Sequence, residues 1–144
     1  AAIGSEVVRQ AIGERPVIIK IGHMTQASNA EELLVAAGPF ATAIAMTNSV
    51  ATKVRSQNGE LLFAGQPRGI CGEATFDASL RQTSLFSELI RRRSDALHII
   101  SVGGVSTARH VQSCLKAGAE SVHIATAAMI DPNVALKIRR SWQD

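Results

Sequence analysis

Residues 99–129, IISVGGVSTARHVQSCLKAGAESVHIATAAM, constrain the fold more than any other stretch of the chain. An apolar run over 97–102 ends in Gly103-Gly104. Ser106 or Thr107 can then cap a helix whose apolar positions Val111 and Leu115 fall four apart, with Gly118 just beyond its end. Residues 121–124 form a second β-rich run, closed by Ala125-Thr126-Ala127. The order is strand, glycine turn, helix, strand, small-residue turn. Each turn offers backbone N–H groups that no bulky side chain blocks, at or near a helix start, and that chemistry suits a phosphate. On spacing alone the same turns also read as ordinary tight turns that use glycine.

The rest of the chain extends the pattern. Residues 1–13 read as a helix with Ile3, Val7, Val8 and Ile12 on one face, and Glu14-Arg15-Pro16 makes a turn. Residues 17–21 are a continuous β-branched run except for Lys20, as in a parallel strand covered on both faces. Lys20 lies near the carboxyl end of that strand, where ligands of α/β folds bind. A lysine whose stem packs while its ammonium reaches solvent fits the position equally. Ser28 or Asn29 can cap a helix carrying Leu33, Leu34 and Ala37, ended by Gly38-Pro39. The strand over 41–46 delivers Thr47-Asn48-Ser49 to the same edge. Asn48 and Ser49 offer donors and acceptors to a planar heterocycle, and both are also common turn residues.

Residues 50–79 depart from simple alternation. A hairpin is expected over 54–63, turning at Asn58-Gly59, followed by a glycine-punctuated loop over 65–72. A helix over 75–92 buries Leu80, Leu85, Leu89 and Ile90, and Asp131-Pro132 caps a last helix with Val134, Leu136 and Ile138. Trp142 is expected to pack against a neighbour. The sum is a leading helix and four βα units in one domain, 1–144.

Composition excludes several classes. With 144 residues the chain is too short for a complete (β/α)8 barrel, which needs roughly 200 or more and often builds a phosphate site from the turns after its last two strands. Four Phe, one Trp and no Tyr argue against a stacking surface for single-stranded nucleic acid. The net charge of +3 is mild, and Arg91-Arg92-Arg93 follows Leu89-Ile90 at a helix end, where cations complement the dipole. Cys71 and Cys114 read as free thiols, Cys71 as a small residue in a glycine turn, with neither metal-ligand spacing nor a disulfide scaffold. His98 falls in a buried strand pattern. Without a long apolar run or a leader-like start, a cytoplasmic protein that binds neither membrane nor nucleic acid is expected.

Five segments in order and spacing carry a resemblance: Lys20 after its β-branched strand, Thr47-Asn48-Ser49, Gly69-Ile70-Cys71-Gly72, Val102-Gly103-Gly104-Val105 and Ala125-Thr126-Ala127. They resemble the dihydroorotate dehydrogenase family and the similar C-terminal part of dihydropyrimidine dehydrogenase. The resemblance runs over nearly the whole chain and covers the second half of that family's FMN-binding barrel. It implies an α/β fold in which four parallel βα units form the C-terminal half of a TIM (β/α)8 barrel, with FMN as cofactor and an orotate-like small molecule as substrate. By the same resemblance, Lys20 would sit beside the flavin's pyrimidine edge. Asn48 would lie over the flavin and, with Ser49, bind substrate. Gly72 would approach the ribityl chain, and Gly103, Gly104, Ala125 and Thr126 would supply amides to the phosphate. The implied reaction is oxidation of dihydroorotate or a related dihydropyrimidine, with hydride passing to flavin. The family's base, a Cys or Ser, belongs to the half of the barrel that this chain lacks, so the resemblance assigns no catalytic residue here. The other reading is a non-catalytic phosphate-ligand, FMN-binding or assembly module of the same fold.

Four parallel strands would also leave two raw sheet edges and an exposed inner face. The expected partner is a second copy or a missing N-terminal half-barrel, and an isolated chain is expected to be poorly soluble or to dimerise.

Overall fold

The computed structural model describes residues 10–142. The helix expected over 1–13 lies outside these residues except for its last turn, 10–12, which is helical. Four strands, β1 (Ile18–Lys20), β2 (Ala43–Met46), β5 (His98–Val102) and β6 (Ser121–His123), form a parallel sheet in the order β1-β2-β5-β6. Helix α1 (Ala27–Ala37) joins β1 to β2, α2 (Phe76–Arg93) precedes β5, and α3 (Ala108–Lys116) joins β5 to β6. The short α4 (Thr126–Ile130) and α5 (Val134–Arg140) follow. All three strand pairings are in parallel register, so the α/β reading holds.

The pleat sorts the strand residues onto two faces. Ile19, Ile44, Met46 and Ile99 join Leu34, Phe86 and Leu89 in the helix-side core, while Ala43, Ala45, Ile100 and Val102 make a second apolar cluster on the other face. Register places Lys20 beside Ala45 and His123 beside Val102, hence on that second face. The central strand β2 is buried throughout, whereas Ile18 on the edge strand β1 is 55% exposed.

Several expectations shift locally. Helix α1 starts at Ala27 without a side-chain cap, so neither Ser28 nor Asn29 caps it. Thr107, not Ser106, caps α3, its hydroxyl accepting the His110 N–H. That helix buries Cys114, and Leu115 lies at its exposed rim. The buried face of α2 is Ser79, Gln82, Thr83, Phe86, Leu89 and Ile90, with Leu80 and Leu85 only half-buried. Val134 and Ile138 of α5 are buried, but Leu136 and Trp142 are exposed. His98 is exposed as well, because it opens β5 at the sheet's amino edge, with Nδ1 3.6 Å from Glu120 Oε1.

The hairpin is longer than expected. Its tip does turn at Asn58-Gly59, closed by Ser56 N–H to Glu60 O at 2.8 Å. Beyond the irregular 62–66 segment, however, pairing resumes between β3 (Val50–Lys53) and β4 (Pro67–Ile70). Residues 67–70 of the expected loop are therefore a strand.

Candidate functional site

The carboxyl ends of β1, β2, β5 and β6 and the base of the β3–β4 ribbon surround one cavity of about 250 Å3. This is small beside the ~300–1,000 Å3 of small-molecule pockets. Lys20, Thr47 and Asn48 line one side; Gly72, Glu73 and Thr75 line another; residues 102–106, His123, residues 125–127 and Ile130 complete the wall. Of the candidates read from the sequence, Lys20, Asn48, Gly72, Gly103, Gly104, Ala125 and Thr126 thus come together. Ser49 does not line the cavity; its Oγ lies 3.0 Å from where a Cβ on Gly69 would sit, against the ribbon.

Lys20 leaves the edge strand β1 and donates from Nζ to Asn48 Oδ1 at 2.8 Å. The bond fixes which end of the Asn48 amide faces the lysine. It leaves two ammonium hydrogens and the Asn48 NH2 group for a ligand, a set of donors only. That corner accepts carbonyl oxygens or an anion. Cys71 is exposed at the rim, its Sγ 3.9 Å from the Asn48 carbonyl oxygen.

Across the cavity the loops are packed against one another. A Cβ on Gly104 would lie 2.6 Å from Phe76 N and 2.7 Å from Phe76 Cα, so the 103–104 turn rests directly on the start of α2. Both glycines have positive φ, +125° and +74°. A Cβ on Gly72 would come 3.4 Å from Thr126 Cγ2. The small residues therefore serve loop packing, and through it they bring the start of α2 to the cavity wall. Helix α2 has no side-chain cap; the 73–75 turn runs straight into it, and the Phe76 N–H donates to the Glu73 carbonyl. The Thr75 hydroxyl instead donates to the Gly72 carbonyl at 2.8 Å.

The sequence reading passed over Glu73 and His123. His123 follows from strand alternation, as the third residue of β6 on the same face as Lys20. Glu73 has no sequence signal beyond standing next to Gly72, and it puts a carboxylate in the wall. Elsewhere, burial pushes the Cys114 thiol up against an opposing Ser101 hydrogen bond. The Asp131 carboxyl is held below its ordinary value by Lys137 and the Asn133 N–H. Among the described residues no cluster of three His, Cys, Asp or Glu is placed to hold a metal, and no helix is long and apolar enough to cross a membrane.

Residues 3–144 match the family model for dihydroorotate dehydrogenase. The chain is 30% identical over 140 residues to a dihydroorotate dehydrogenase of Dictyostelium discoideum, covering 94% of this chain and 38% of the relative. It is 27% identical over 139 residues to the catalytic subunit of dihydroorotate dehydrogenase B (NAD(+)) of Staphylococcus carnosus, covering 94% of this chain and 43% of that subunit. Two crystal structures of DHODH from Eimeria tenella share the fold at 20% identity. The one in complex with ferulenol has a TM-score of 0.68 and the ligand-free one 0.67, each covering 89% of this chain and 34% or 35% of its own. The chain thus spans about two fifths of the curated relatives it matches and carries part of their barrel.

Proposed function

The chain belongs to the dihydroorotate dehydrogenase family, and from that premise we propose that it is the FMN-holding half of a dihydroorotate dehydrogenase-like oxidoreductase. The observation that carries this reading is that the Lys20–Asn48 donor pair and the 103–104 and 125–126 turns open on one cavity. A phosphate binder needs only the turns. A ligand with an anionic group at one end and an acceptor-rich ring at the other uses both walls, and FMN is such a ligand.

The residues fit that group in charge and in approach. Lys20 would put a cation beside the ring, which gathers negative charge when a flavin is reduced. Asn48 turns its NH2 group outward for a ring or substrate carbonyl. Gly72 leaves the ribbon base free of a side chain where a ribityl chain would pass. Gly103, Gly104, Ala125 and Thr126 offer backbone N–H groups to the phosphate. Glu73 lies between Gly72, packed on Thr126, and Phe76, packed on Gly104, so its carboxylate opposes an anion at these turns and the amides there would have to outweigh it. Bound FMN would supply the hydride acceptor for oxidation of an orotate-like dihydropyrimidine. The base is proposed to lie in the part of the family's barrel that this chain does not span, so the chain alone is not expected to turn over dihydroorotate.

Titrating the protein into FMN and into riboflavin, with flavin fluorescence as readout, tests this. FMN is expected to bind, and riboflavin, which lacks the phosphate, about tenfold or more weaker, each tenfold being ~1.4 kcal/mol. Absence of binding by both at high protein concentration overturns the reading. Equal affinities would remove the phosphate turns from it.

The exposed Ile18 on the β1 edge and Met129 and Ile130 beyond β6 put apolar surface at both ends of the sheet. We propose that these edges are covered by a second copy or by the remaining half-barrel. Light scattering on the isolated chain is expected to show a dimer or larger species, and a stable monodisperse monomer would contradict that.

A further inference from the structure

Helix α2 presents an unusual inward face. At its carboxyl-terminal half it buries Phe86, Leu89 and Ile90, as an amphipathic helix on a sheet should. At its amino-terminal half, beside the cavity, it buries Ser79, Gln82 and Thr83 instead. Gln82 is 1% exposed, and its side-chain amide is used at both ends: Oε1 accepts the Thr47 hydroxyl at 2.6 Å, and Nε2 donates to the Gly22 carbonyl at 2.9 Å. Gly22 stands two residues after Lys20, and Thr47 immediately precedes Asn48. One buried amide therefore bridges the two segments that carry the Lys20–Asn48 pair. A methionine or leucine would fill the same space, and an amide without partners would cost free energy there. What the amide adds over packing is direction.

We infer that Gln82 is the positioning residue of this site: its amide sets the separation of the 20–22 and 47–48 segments and so holds Lys20 Nζ within bonding distance of Asn48. Thr47, itself 1% exposed, is the other half of the device, because its hydroxyl is spent on Gln82. The backbone bonds Ile21 N–H to Ala45 O at 2.9 Å and Asn48 N–H to Ile21 O at 3.1 Å join the same segments at their strand ends. They fix strand register, and Gln82 fixes the loops beyond it. The inference rests on the flavin reading only for its ligand; the positioning itself concerns the chain alone.

The test uses the full chain with Gln82→Met, which keeps length and helix propensity but loses both bonds, and with Thr47→Val and Thr47→Ser. The ligand-free readout is the pair of Asn48 side-chain NH2 resonances in a 15N NMR spectrum, and the second readout is the FMN dissociation constant. Gln82→Met and Thr47→Val are expected to move the Asn48 NH2 signals toward those of an amide whose oxygen accepts from water in place of the Lys20 ammonium, and to weaken FMN about tenfold. Thr47→Ser, which keeps the hydroxyl, is expected to match the parent in both. Unchanged Asn48 signals in Gln82→Met and Thr47→Val overturn the inference. If Gln82→Met does not fold, the Thr47→Val and Thr47→Ser comparison decides by the same signals. If the parent does not bind FMN, the flavin reading fails while the NMR comparison still tests the positioning.

Discussion

Gly104→Ala is expected to destabilise the chain by about 2–5 kcal/mol, a large share of the ~5–15 kcal/mol that holds an ordinary domain together. Two costs add. At φ +74° an L side chain sits in the left-handed region, worth roughly 1–2 kcal/mol against any residue but glycine. The new methyl would also stand 2.6–2.7 Å from Phe76 N, Cα and Cβ. Backbone atoms cannot swing aside as a side-chain tip can, so α2 must shift, an overpacking cost of about 1–3 kcal/mol. Gly59 supplies the control: its φ is +84° but nothing lies within 4 Å of its Cβ position, so Gly59→Ala bears the conformational cost alone. Urea unfolding of both variants should separate them by about the overpacking cost. Equal losses would show that α2 does not rest on the 103–104 turn. Because that helix also carries Gln82, the folded fraction of Gly104→Ala should show altered Asn48 signals.

The sequence was most informative where a strand runs into a turn. Strands β1, β2, β5 and β6 were each legible as apolar runs, and the residues at their carboxyl ends converge on one cavity because parallel strands all point the same way. That logic is directional and needs no side-chain detail. It puts Lys20, Asn48, Gly103, Gly104, Ala125 and Thr126 on one edge, and the structure brings them around one cavity. It failed where facing depends on rotation about a helix axis or on register. Apolarity alone puts Leu80 and Leu85 inward, yet Ser79, Gln82 and Thr83 take the buried places on that helix. Gln82 and Thr83 win there because Thr47, Gly22 and Ser101 supply their hydrogen bonds, and partners from distant segments leave no local trace in the sequence; Ser79, whose hydroxyl has no hydrogen-bond partner among the described residues, lies tight against Gly103.

The ribbon shows a different limit. Asn58-Gly59 announced the turn, but pairing continues past two consecutive non-glycine residues with positive φ, Phe63 at 55° and Ala64 at 52°. Nothing in Leu62-Phe63-Ala64-Gly65 signals that conformation beyond Gly65, so residues 67–70 read as loop. Ser49 shares the 47–49 turn with Asn48, yet it lies against Gly69 of the longer ribbon and does not line the cavity.

Lys20→Met is expected to weaken FMN binding about ten- to a hundredfold while leaving the fold intact. The ammonium is exposed at a strand end, and the methionine keeps most of its stem, so stability should change by no more than about 0.5 kcal/mol. Ligand binding loses a charged donor, typically worth ~1.5–3 kcal/mol, or one to two decades of affinity. It also loses the anchor on Asn48, whose Oδ1 would then have no lysine to accept from. The decisive comparison is with riboflavin. If Lys20 serves the ring edge, FMN and riboflavin should weaken by the same factor, since the ring is common to both. If Lys20 instead reaches the phosphate across the small cavity, FMN alone should weaken and the preference for FMN over riboflavin should shrink. Ionic strength gives an independent check, because an interaction between Lys20 and a dianionic phosphate should be lost more steeply with added salt than one with a neutral ring carbonyl. The proposed orientation, ring beside β1 and β2 and phosphate beside the turns after β5 and β6, requires the equal-factor outcome.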